Sequence, residues 1–134
     1  MTNISPFRME KEKYKVLLVE DDSNFGQVLK NYLELNDFIV ELSRDGILGL
    51  AAFRREKFDI CLLDVMMPNM DGPETLAGLR EFPTLATTPV VFMTAKVQPQ
   101  EVQAYLDLGA VGVIAKPFDP MLLVDQLREI WERQ

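Results

Sequence analysis

The sequence predicts a doubly wound α/β domain with five parallel strands in the order 2-1-3-4-5 and helices on both faces. Five short apolar runs alternate with five amphipathic segments, and such a βα series folds into a parallel sheet with right-handed crossovers. Three of the runs, KVLLV, DICLL and PVVFM, are almost unbroken in apolar residues, which suits strands buried on both faces. A length of 134 residues fits one domain. Folding at that size buries roughly two thirds of the chain's surface, so the core needs no disulfide or metal staple.

The strands are expected at residues 15–19, 38–42, 59–63, 89–93 and 111–115. In the first helix Phe25, Val28, Leu29, Tyr32 and Leu33 recur at i, i+3, i+4, i+7 and i+8, and Asp22 or Ser23 can cap its start. The second, near 46–57, presents Ile47, Leu50 and Ala51. The third, near 73–82, is weakened by Gly78 in its interior, at a cost of about 1 kcal/mol. The fourth begins near Pro99, presents Val102, Tyr105 and Leu106, and ends at Gly109. The last opens on Asp119-Pro120 and lines Leu123, Val124, Leu127, Ile130 and Trp131 on one face. Residues 1–13 show no periodicity and are expected to form a flexible arm ahead of the domain at 14–134.

A formal charge of −7 argues against binding a nucleic-acid backbone, which requires clustered Lys and Arg. The chain has no histidine, so it lacks the commonest general base and metal ligand and cannot carry phosphohistidine itself. Cys61, the only cysteine, lies in the apolar stretch FDICLLDV and reads as a buried packing thiol. No apolar run approaches the roughly 18 residues needed to span a bilayer, and the N-terminus lacks a secretory h-region. A cytoplasmic location is expected.

Glu20, Asp21 and Asp22 follow the first strand directly, Asp64 follows the third, Thr94 the fourth and Lys116 the fifth. All six therefore project from the carboxyl edge of the sheet, where open α/β folds bind ligands. In the order 2-1-3-4-5 strands 1 and 3 are neighbours, so the acidic cluster and Asp64 share one crevice. Carboxylates crowded in this way are tolerated when a cation binds or a pKa shifts. The side-chain donors are hard oxygens, which favours Mg²⁺ or Mn²⁺ over zinc, and Mg²⁺ commonly takes a phosphate oxygen as a further ligand. An ionised carboxylate can act as nucleophile toward phosphorus without a general base. Charge neutralisation would come from the metal and Lys116.

The stretches KVLLVEDDS, DICLLDVMMPNMDG, VVFMTAK and GVIAKPF together resemble the receiver domains of two-component response regulators, from about Lys15 to the C-terminus. The spacing is receiver-like: 43 residues from Asp21 to Asp64, 30 on to Thr94 and 22 on to Lys116. The resemblance implies a flavodoxin-like (βα)5 receiver fold and phosphorylation of Asp64. It implies Mg²⁺, replaceable by Mn²⁺, held by Asp21, Asp64 and the Met66 carbonyl, with Glu20 acting largely through water. Lys116 matches the lysine that pairs with Asp64 or its phosphate, and Thr94 the switch hydroxyl. Asp22 reads as a cap, and Lys116-Pro117 matches the family's cis peptide. The implied donor is a sensor histidine kinase or a histidine phosphotransfer protein, and the implied target a downstream protein or output domain. Such a receiver signals rather than turning over a substrate, though it promotes its own phosphorylation and dephosphorylation.

One position departs from the pattern. Val113 stands where the family usually has a Phe or Tyr three residues before the lysine, and a valine has no ring to swing between rotamers. Tyr105 on the fourth helix offers another aromatic. Met66 and Lys96 match positions that influence phosphoryl lifetime in the family. An apolar patch on helix 4 or 5 would allow a phosphorylation-dependent homodimer. Other classes fit less well. An aspartyl phosphatase would carry a second Asp where Met66 stands, and EDD after the first strand would repel an FMN phosphate. The alternative that stays open is a receiver-fold interaction module that acts independently of phosphorylation.

Overall fold

The computed structural model describes residues 14–83 and 87–132. The expected arm at 1–13 and the side chain of Trp131 lie outside the described residues. Five strands, β1 (Tyr14–Val19), β2 (Phe38–Ser43), β3 (Ile60–Asp64), β4 (Val90–Thr94) and β5 (Gly112–Ala115), alternate with five helices. These are α1 (Ser23–Leu35), α2 (Gly46–Arg55), α3 (Gly72–Arg80), α4 (Pro99–Asp107) and α5 (Pro120–Glu132). The strands are parallel in the order β2-β1-β3-β4-β5, as expected.

Alternation along the strands sorts the core into two layers. Val16, Leu18, Ile60, Leu62, Val91, Met93 and Ile114 face α1 and α5. Leu17, Val19, Cys61, Leu63, Val90 and Phe92 face the side carrying α2, α3 and α4. Cys61 is fully buried, and desolvation pushes its thiol far above the ordinary range, in keeping with a packing role. No helix among the described residues is long and apolar enough to cross a membrane.

Caps fix the helix starts. Asp22 accepts a hydrogen bond from Phe25 N at 3.0 Å, and Asp45 one from Leu48 N at 2.8 Å. Asp71 and Glu74 form a reciprocal capping box at α3. Gly109, with φ of 111°, follows α4 in the left-handed region that favours glycine.

The helix faces correct the sequence reading in three places. On α1, Leu29 and Leu33 are buried, but Val28 is 59% exposed. On α2 the buried residues are Gly46, Gly49, Ala52 and Phe53, whereas Ile47 and Ala51 face solvent. Small residues define that face because the helix lies close over β1; a Cβ on Gly49 would sit 3.0 Å from a Val19 methyl. On α4 no residue is fully buried: Val102 and Tyr105 are half-buried and Leu106 is exposed. The α5 face is as expected, with Leu123, Val124, Leu127 and Ile130 buried. Gly78, a weak point in α3 by propensity, admits a Leu50 methyl of α2 to within 3.0 Å of where its Cβ would be.

Gly72 controls the loop after β3. A Cβ there would lie 2.7 Å from the Asp64 carbonyl oxygen, 2.9 Å from Val65 Cα and 3.1 Å from the Phe92 ring. Two of these three atoms are backbone and cannot yield locally. Gly72→Ala should therefore destabilise the fold by about 1–3 kcal/mol, read as a lowered urea midpoint. Leu29→Ala should cost about 2–5 kcal/mol, whereas the adjacent Val28→Ala should change stability by less than about 0.5 kcal/mol.

Candidate functional site

Strand register explains which side chains meet. Val19 pairs with Leu63, so Glu20 follows β1 level with Asp64 at the end of β3. Asp64 pairs with Met93, and Thr94 with Ala115, so β4 and β5 end beside it. Glu20, Asp64 and Lys116 continue the alternation of the α1/α5 layer, whereas Thr94 continues that of Phe92 on the α4 side.

The structure brings Glu20, Asp21 and Asp64 together: one ligand oxygen from each lies within 4.8 Å of the others. Glu20 is 1% exposed and Asp64 4%, while Asp21 reaches solvent. Lys116 Nζ donates to Glu20 Oε1 at 2.6 Å and to Asp64 Oδ1 at 3.2 Å. Burial pushes the Asp64 carboxyl up to about 7; hydrogen bonding and repulsion from Glu20 add to the rise, and Lys116 offsets part of it. Burial pulls the other way on Lys116, but its bonds to Glu20 and attraction to Asp64 outweigh that and hold the amine above its usual value. One ammonium thus serves two sequestered carboxylates. The donor set of crowded, hard oxygens fits a divalent cation of the Mg²⁺ type.

Thr94, 2% exposed, accepts a hydrogen bond from Lys96 N at 3.0 Å, so its hydroxyl is engaged by its own loop rather than by Asp64. Met66 lies two residues past Asp64 with its side chain in solvent. Asp22 caps α1, and the Lys116-Pro117 peptide is cis. Val113 is half-buried on β5, and Tyr105 meets the buried Phe92 edge-to-face, ring centroids 5.3 Å apart.

The sequence reading assigned Phe25 to the α1 core face alone. Its ring centroid lies 4.9 Å from Lys116 Nζ, a cation–π contact, and Phe118 meets it edge-on at 5.5 Å. The signal was present: Phe25 opens the helix that follows the acidic cluster, and Phe118 stands two residues after the lysine.

Residues 16–128 match the response regulator receiver domain family. The chain is 37% identical over 122 residues to the transcriptional regulatory protein RprY of Bacteroides fragilis, covering 91% of this chain and 51% of that protein. It is 33% identical over 117 residues to the probable transcriptional regulator ycf29 of Porphyra purpurea, covering 87% of this chain and 56% of that one. The chain therefore spans about half the length of these curated relatives. Among solved structures, the chemotaxis response regulator CheY4 of Vibrio cholerae aligns with a TM-score of 0.84 at 31% identity, covering 88% of this chain and 98% of that chain. The signal receiver domain of a histidine kinase from Syntrophus aciditrophicus aligns with a TM-score of 0.78 at 30% identity, covering 88% and 89%. A match of this extent, spanning every residue of the edge cluster, makes the chain a member of the response regulator receiver domain family.

Proposed function

We propose that Asp64 accepts a phosphoryl group from a phosphohistidine donor, with Mg²⁺ bound beside it, and that the resulting change of conformation controls a partner or output domain. The observation that carries this reading is the meeting of Glu20, Asp21, Asp64 and Lys116 at the carboxyl edge of the sheet. The upstream partner is a sensor histidine kinase or a histidine phosphotransfer protein, and the site of action is the cytoplasm. Asp21, Asp64 and the Met66 carbonyl would hold the ion, which neutralises charge on the incoming phosphoryl oxygens. Glu20 acts indirectly, in keeping with its burial and its short bond to Lys116.

The chain's own residues supply the rest. An Asp64 oxygen attacks phosphorus as the bond to the donor nitrogen breaks, and Lys116 turns from two carboxylates toward the new phosphoryl oxygens. Phosphorylation adds roughly −1.5 to −2 charge and three acceptor oxygens. Thr94 leaves the Lys96 amide to donate to one of them, drawing the β4–α4 loop inward. Moving a two-state equilibrium from mostly inactive to mostly active takes about 5.5 kcal/mol, whereas one charge-assisted hydrogen bond supplies about 1.5–3 kcal/mol. Thr94 and Lys116 must act together with backbone donors. With Val113 on β5, the Tyr105–Phe92 contact is the aromatic link between the sheet and α4.

Incubation with acetyl phosphate and Mg²⁺ should add the mass of one phosphoryl group, and Asp64→Asn should abolish the addition; an unmodified wild type would end this reading. Thr94→Ala should still take up the group on Asp64, but the chemical-shift changes in α4 that accompany phosphorylation should shrink. Complete loss of uptake in that variant would contradict the division of roles.

A further inference from the structure

An ammonium carries three N–H bonds. Lys116 Nζ directs two of them to Glu20 Oε1 at 2.6 Å and Asp64 Oδ1 at 3.2 Å, and among the described residues no other carboxylate pairs with it. The same nitrogen stands over the ring of Phe25, 4.9 Å from its centroid. We propose that Phe25 is a positioning residue for phosphoryl transfer, holding the Lys116 ammonium over its ring while the lysine turns from the two carboxylates to the phosphoryl oxygens. The inference rests on Asp64 being the phosphoacceptor.

The ring is itself held in place. Phe25 lies in the first turn of α1, and its amide donates to the capping carboxylate of Asp22 at 3.0 Å, so the segment that carries Glu20 and Asp21 also anchors the ring. Phe118, two residues past Lys116, meets that ring edge-on, with centroids 5.5 Å apart and 74° between the planes. The aromatic pair therefore ties the loop after β1, which supplies the carboxylates, to the loop after β5, which supplies the ammonium. Both rings are half-buried at the margin of the α1/α5 core, and the Lys116 side chain is 24% exposed. The contact is thus partly shielded from water, where attraction between a cation and a ring face strengthens.

A ring suits this task better than a polar group would. The lysine leans toward Glu20, its shorter bond, and needs a second attraction that does not bind it more tightly there. A hydrogen-bond acceptor at Phe25 would fix the direction of one N–H and compete with the incoming oxygens. A ring face attracts the positive charge with little regard to where the N–H bonds point. The ammonium can therefore redirect those bonds without leaving the ring. With acetyl phosphate as donor, an Asp64 oxygen bonds to phosphorus, the bond from phosphorus to the acyl oxygen breaks, and its electron pair leaves on acetate. No proton is transferred, so Lys116 contributes charge and direction alone, and the ring preserves both.

Two measurements on the full chain test this. In NMR spectra the ε-methylene protons of Lys116 should lie upfield of those of the other lysines, through the ring current of Phe25, and should stay upfield after phosphorylation. Resonances at the ordinary lysine position in either state would overturn the proposal. Phosphorylation by acetyl phosphate is then followed by intact mass at graded Mg²⁺. Phe25→Leu keeps an apolar side chain against the core but removes the ring. It should lower the rate at saturating Mg²⁺ about fivefold, while the Mg²⁺ concentration for half-maximal rate changes by less than about twofold. Phe25→Tyr restores the ring and should stay within about twofold of wild type. Equal rates in the two variants, whether both normal or both reduced, or a deficit that excess Mg²⁺ cures, would leave Phe25 a packing role only. A wild type that takes up no phosphoryl group would instead remove the phosphoacceptor reading, while the ring-current shift of the unmodified protein still reports on the contact.

Discussion

Two carboxylates sequestered from water, Glu20 and Asp64, share the single ammonium of Lys116, and the rest of the molecule is arranged around that imbalance. Such groups repel each other and resist desolvation; the rise of Asp64 toward neutrality expresses both effects. They stay together because the backbone gives them no alternative. The sheet register sets β1 and β3 side by side, and the cores on its two faces prevent either strand from sliding. Packing energy from the interior thereby holds an electrostatically unfavourable cluster at the rim, in a state that welcomes added positive charge.

Much of this was legible in the sequence because it depends on local pattern. Continuous apolar runs marked the strands, and the order 2-1-3-4-5 is the common one for a doubly wound series of five. Counting residues past each run then placed Glu20, Asp64, Thr94 and Lys116 at one edge. The parity of Val16, Leu18 and Glu20 against Phe92 and Thr94 even separates the charged cluster from the threonine, although only the structure shows which helices cover each side. What escaped depends on close approach. The face of α2 is set by Gly49 and Ala52, small residues that periodicity of large side chains ignores. Val28 fell outside the contact because the apolar arc of α1 is wider than the surface that covers it. Phe25 looked like core because a ring that borders a cation and one that borders leucine have the same identity in a sequence.

The two layers of the core are unequal. On one side α5 contributes Leu123, Val124, Leu127 and Ile130 to a cluster that α1 completes with Leu29 and Leu33. On the other, α2 and α3 are bound through Phe53, Leu76 and Leu79, and Gly78 lets them approach closely. Arg80 fastens the end of α3 to its surroundings by donating to the carbonyls of Thr88 at 2.9 Å and Gly109 at 3.2 Å. This tie secures the C-terminal end of α4 while its N-terminal end, next to the loop carrying Thr94 and Lys96, is left to the capping pair of Gln98 and Glu101.

Helix α4 is consequently a lever with a pinned end and a free one. None of its residues is wholly shielded, and the rim of one tyrosine ring meets Phe92 of the sheet. Detaching it would sacrifice little dispersion energy compared with detaching α5, so its departure need not drag the other elements with it. A surface that can be re-seated so cheaply suits repeated making and breaking of contacts, and it also leaves this helix easier to open than α5 under heat or proteolysis.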